Sequence, residues 1–142
     1  MSQRIEAPNE VDIDRIARQL IHASDLVTSI AGESLNGQDR DLMLIQRVLD
    51  SGQLEREATY SLQALGLAFG KVFVQNHADF DWWMVEDEYG RDPAIRYQQT
   101  TLLAFPMTMI SKRIEDGESV DVRGLYVGLS QRLTELRRDG DA

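Results

Sequence analysis

An α+β fold follows from three features of the 142-residue chain. Apolar side chains recur at helical spacing from Glu10 to Asn76. Residues suited to a pleated sheet replace them after Ala78, and helical spacing returns after Pro106. The expected order is three N-terminal helices, a small antiparallel sheet of two or three strands, then two C-terminal helices.

Residues 1–9 carry no periodicity and are expected to be a frayed arm, as are residues 139–142. From Glu10, Ile13, Ile16, Ala17, Leu20, Ser24, Val27 and Ala31 step by three and four, which predicts one buried face, and Gly32 stops the helix. A second helix is expected from about Gln38 to Ser51, with Leu42, Ile45 and Leu49 inward and Gly52 just past its end. The third, about Leu54 to Asn76, is apolar on nearly every side from Leu62 to Val74, so it should be central. Gly66 and Gly70 share one of its faces. Each costs about 1 kcal/mol of helix propensity relative to alanine, which close packing of a neighbouring backbone would offset.

Asp81 to Asp87 is expected as a strand and Glu88 to Pro93 as a turn. Gly90 is free to take positive φ there, and Pro93 holds Asp92 extended. Ala94 to Tyr97 and Thr100 to Phe105 return as strands. Pro106 suits a first helical turn, with Met107, Ile110 and Ile114 on one face and Gly117 at the end. Asp121 caps the last helix, which continues through Leu125, Leu129, Leu133 and Leu136.

With no internal repeat and no low-complexity linker, residues 1–142 read as a single domain. The chain has 24 acidic and 15 basic residues, a formal charge of −9, and no cysteine. The missing cysteines exclude a disulfide scaffold, a thiolate zinc site and a cysteine nucleophile. Scattered basic residues in an acidic chain argue against nucleic acid as a partner. No stretch is long and apolar enough for a membrane helix, and the start lacks the apolar core of a signal peptide, so a cytoplasmic location is expected.

Gly66 to Val72 superficially matches a phosphate loop, but only three residues separate its glycines, and Val72 stands where a hydroxyl must hold magnesium. Helix packing explains it better. His22 and His77 fall on separate helices without ligand spacing, and no Gly-x-Ser-x-Gly elbow occurs.

Residues 79–92 hold six acids against Arg91 alone, a candidate for cation binding or acid–base chemistry. A solvated turn with one internal arginine–carboxylate pair is the plainer reading. Strand alternation puts Trp83 and Val85 on one side, Trp82 and Met84 on the other. Five helices against three short strands favour burial of both faces; otherwise one face is an aromatic patch open to a partner. Lys112 and Arg113 should point outward, within reach of the acidic turn.

Taken together, Leu65-Gly66, Phe69-Gly70, Trp83, Asp87-Glu88-Tyr89-Gly90, Pro93-Ala94-Ile95, Phe105-Pro106, Ile110, Lys112-Arg113 and Asp121-Val122 resemble a bacterial family of small domains of unknown function. The resemblance spans Leu65 to Tyr126. It implies a fold more than a reaction, and it transfers no catalytic residue.

The functional expectation is a non-enzymatic module acting by protein–protein contact, as a homodimer or with an unidentified partner, in an immunity, adaptor or regulatory role. No catalytic residue, metal ligand or cofactor is named. The contact candidates are Trp82, Met84, Asp87, Glu88, Tyr89, Arg91 and Arg113. The alternative is a small-molecule- or metal-binding site, or an enzyme, at the turn Asp87–Asp92, with Arg91 or Arg113 holding an anion.

Overall fold

A computed structural model of the chain describes residues 3–141, and side chains as far as residue 138. Met1, Ser2, Ala142 and the side chains of 139–141 lie outside the described residues, so the expected fraying of 139–142 is not addressed.

The elements are β1 (Arg4–Glu6), α1 (Glu10–Ala31), α2 (Arg40–Asp50), α3 (Thr59–Asn76), β2 (Phe80–Asp87), β3 (Gly90–Tyr97), β4 (Leu103–Ala104), α4 (Pro106–Glu115) and α5 (Val122–Asp141). The class is α+β: five helices and one antiparallel sheet of order β1-β2-β3-β4 among the described residues. The strand count corrects the expectation of two or three. Arg4–Glu6, expected as part of a frayed arm, is an edge strand in register with Met84 to Glu86. Three residues reading charge, Ile, charge carry no local signal; their partners lie some 80 positions away.

β3 is longer than expected and β4 shorter. β4 pairs only with Ile95 and Arg96, leaving the Pro93 position on an open edge where a missing N–H costs no ladder bond. At the hairpin tip Asp87 Oδ1 accepts the Tyr89 N–H at 2.8 Å, closing the turn into Gly90 at φ +136°. Nothing lies within 4 Å of where a Gly90 side chain would begin, so the constraint there is backbone conformation alone. Gly90→Val should therefore lower stability by about 1–2 kcal/mol in a thermal melt, and unchanged melting would contradict the turn geometry.

α3 forms the centre, as its all-round apolar sequence requires. Leu62 is fully buried, as are Leu65, Phe69, Val72 and Phe73, which pack in one cluster with Leu42, Ile45 and Val48 of α2 and Ile110 of α4. Gly66 faces the backbone of Pro106 and Met107, and Gly70 faces the Pro106 ring and the edge of Trp82, so α4 seats directly on α3. The Phe73 ring meets Phe80 edge-on at 5.2 Å and stacks on His77 at 3.9 Å, giving this histidine a packing role.

The two sheet faces are treated unequally. Phe80, Trp82 and Met84 turn towards α3 and α4, with Met84 fully buried. On the opposite face Trp83 is half-buried, with the Arg96 guanidinium 4.5 Å from its ring centre. Val85 and Ala94 on that same face are buried, so both faces carry buried residues, while Trp83 and Arg96 stay partly open.

α1 shows a further correction. Asn9 caps it reciprocally with Asp12, both bonds 2.9 Å, and Gly32 ends it in the left-handed conformation. Its buried residues, however, are Asp12, Gln19, Ala23 and Val27, while Ile13 and Ile21 are 58% and 61% exposed. In its first half the helix is rotated away from the predicted stripe because Asp12 and Gln19 find partners inside, while Val27 is core and Leu20 and Ala31 pack against it as expected. Gln19 Nε2 donates to the Tyr60 carbonyl at 3.2 Å.

Candidate functional site

The residues nominated from sequence do not converge. Met84 is core, and Trp82 is half-buried beside Gly70. Tyr89 stands at the hairpin tip, 89% exposed, next to exposed Glu88, while the Asp87 carboxylate is used in the turn. Arg113 belongs elsewhere: it donates to the Met109 carbonyl at 2.8 Å on α4. Neither Lys112 nor Arg113 makes an ion pair with the acidic turn among the described residues, so that expected bridge does not form.

Arg91 instead locks three elements together. Its Nε and Nη2 donate to the two Asp12 oxygens at 3.0 and 2.7 Å, and Nη1 donates to Glu6 at 2.8 Å. Glu86 lies 3.7 Å from the same Nη1, and Arg4 bridges Glu6 and Glu86. The bidentate hydrogen bond from Arg91 holds the Asp12 carboxyl below the usual aspartate range despite its burial, and the two carboxylates push the Arg91 guanidinium up in turn. Arg15 completes the latch by donating to the Arg91 carbonyl at 2.7 Å and to Asp92 at 3.2 Å. Arg91 has three of its five donors committed to these carboxylates, and its charge is matched by theirs, so it keeps little attraction for a substrate anion. Its function is to fasten α1 and β1 to the β2–β3 hairpin. Among the described residues, no three acidic or histidine side chains gather as a metal could use them.

Large apolar side chains are exposed on α1 (Val11, Ile13, Ile21) and singly elsewhere, at Met43, Tyr60, Tyr89, Val127 and Leu136. Ile13, Ala17 and Ile21, each four apart, form an exposed line along the helix. Beside it a groove of about 540 Å³ runs between α1, the loop after it and α3, walled by Leu20, Ile21, Leu35 and Ala68. Lys71 lines the groove without an ion pair or hydrogen bond among the described residues. At the groove's end the Asp41 carboxylate is buried, accepting the N–H groups of Asn36 at 3.0 Å and Gly37 at 2.7 Å, which folds that loop onto α2. Sequence reasoning put Ile13 and Ala17 in the core and passed over Ile21. The missed signal was their fourfold spacing on a line that excludes Gln19 and Ala23.

The model of a family described as Domain of unknown function (DUF3806) matches residues 41–126. That segment runs from α2 into α5, so it includes α3, the hairpin and Arg113, and leaves out β1 and α1. A crystal structure from Bacteroides thetaiotaomicron VPI-5482, at 17% identity, superposes with a TM-score of 0.85 over 93% of this chain and 48% of that one. At that identity the likeness is one of fold, and this chain spans about half the length of that protein. No curated protein matches the chain. No helix among the described residues is long and apolar enough to cross a membrane.

Proposed function

The chain belongs to the DUF3806 family of domains of unknown function, and from that premise we propose a non-catalytic binding module that works as a homodimer through the outward face of α1. The supporting observation is the exposed line Ile13, Ala17, Ile21. Two large isoleucines on one helix face, left in water, are an apolar patch of the kind that marks an interaction surface.

The order of residues in that line favours a second copy as the occupant. A two-fold interface must be self-complementary, with each residue meeting its counterpart's complement. Isoleucine, alanine, isoleucine at equal spacing reads the same in both directions. In an antiparallel pair the alanines would cross where the helices come closest, and each isoleucine would meet the opposite one on the second copy.

Exposed Glu10 and Asp25 flank the ends of the line, and Asp14 and Arg18 its side. Asp14 and Arg18 pair at 2.8 Å within the helix, so no net charge from them is buried on contact. That matters for a chain of charge −9, whose copies repel one another at long range.

Sedimentation equilibrium tests the proposal. The intact chain should behave as a reversible dimer that tightens when added salt screens the mutual repulsion. Ile21→Asp should raise the dissociation constant by about 100-fold or more, because each subunit loses a buried isoleucine and gains a charge at the contact. Its monomer should keep its helix content, since Ile21 supports no core contact. A wild-type chain that stays monomeric at every concentration would contradict the proposal.

A further inference from the structure

We infer that a second groove, between α4 and α5, is a binding site for a small phosphate ester. It measures about 470 Å³, and two arginines line it: Arg113 from α4 and Arg132 from α5. Neither pairs with a carboxylate among the described residues, a state that Arg56, Arg96, Arg123 and Arg138 share; what sets these two apart is that they line one groove. The bond from Arg113 to the Met109 carbonyl uses one of its five donors and steadies the rest at the groove. Two guanidinium forks on one concave surface suit a ligand that presents several oxygens to both, which a phosphate does and a single carboxylate does less well. Met109 and Leu125 supply apolar wall for the remainder of an ester.

The groove also contains Asp121, whose charge opposes an anion. Its Oδ1 accepts the Gly124 N–H at 3.1 Å as the cap of α5, so part of that charge is committed to the helix start. Gly128 adds a separate argument. It sits in the interior of α5, lines the groove, and has nothing within 4 Å of where its side chain would begin. No neighbour in the chain requires glycine there, yet glycine weakens a helix interior. Space for a bound group gives that position a reason. The inference is independent of the α1 contact, since Arg113, Arg132 and Gly128 lie on other elements.

Thermal melting of the full chain with phenyl phosphate, inorganic phosphate and benzoate is the test. Phenyl phosphate at a hundredfold excess over its dissociation constant should raise the melting temperature by about 9 °C. Inorganic phosphate alone should give a smaller shift, and benzoate little. An equal shift from inorganic phosphate would overturn the ester assignment in favour of a free-anion site. Arg132→Gln should abolish the shift. Gly128→Leu should abolish it too, while melting at or above the wild-type temperature without ligand, which separates a filled groove from a damaged fold. No shift for the intact chain, or equal shifts in both variants, would overturn the site.

Discussion

Gly66→Ala should lower the melting temperature by about 7 °C, because the added methyl group has nowhere to go. Its carbon would press into the Pro106 carbonyl oxygen and lie 2.8 Å from the Met107 carbonyl oxygen and 3.0 Å from the Met107 Cα. Those are backbone atoms at the start of α4, so relief requires moving the whole helix away from α3. Overpacking costs of this kind reach about 3 kcal/mol, and the better helix propensity of alanine returns only about 1 kcal/mol of it. Propensity alone would make the substitution stabilising, so even the sign of the result is informative. Gly70→Ala is the built-in comparison. Its nearest obstacles, the Pro106 ring at 2.6 Å and the tip of Trp82 at 2.8 Å, are side chains, and part of the clash relaxes there. The loss should be smaller than at Gly66. Equal melting of Gly66→Ala and the wild type would show that α4 does not rest on α3 as described.

Asp12→Ala should cost about 2–3 kcal/mol in chemical denaturation at neutral pH. A broken buried ion pair typically costs 3–5 kcal/mol, and Glu6 remains to share the Arg91 charge, which moderates it. The substitution also removes the carboxylate that accepts the Asn9 N–H in the α1 cap. The same group predicts an acid dependence. Arg91 lowers the folded-state value of Asp12, so its contribution is complete above the ordinary aspartate value, about 3.8, and is lost as pH falls from there through the lowered folded value. Between neutral pH and about pH 5 this group should leave stability flat. Asp12→Asn should shallow the decline at lower pH, and a variant that declines as steeply as the wild type would place the acid sensitivity elsewhere.

Much of the fold was legible because its helices advertise themselves locally. The periodicity of α2, the all-round apolarity of α3, Pro106 at the head of α4 and Asp121 before α5 all appear in the elements observed. What escaped notice depends on distant partners. β1 is three residues whose reason for being a strand is β2 and the Arg91 cluster. Along its first half α1 turns a different face inward because Asp12 and Gln19, polar residues any periodicity rule places outside, meet Arg91 and the Tyr60 carbonyl. That rotation leaves Ile13 and Ile21 exposed and creates the candidate contact surface. Residues that stand together in the acidic turn point to different tasks: Asp87 closes the hairpin, Arg91 ties down α1, and Asp92 receives Arg15. Arg113 stands out in the sequence as a cation, but its companion Arg132 lies nineteen positions further on, and only the separate packing of α4 and α5 against α3 brings them to one groove.

Because the chain has no cysteine, one introduced thiol reports on one place only. Ala17→Cys puts that thiol at the proposed crossing point, where a two-fold pair of helices brings equivalent residues within disulfide reach, about 4.4–6.8 Å between Cα atoms. Under mild oxidation this variant should convert rapidly to a covalent dimer, while Gln131→Cys, exposed on α5, should remain monomeric. Cross-linking no faster at position 17 than at position 131 would contradict association through α1.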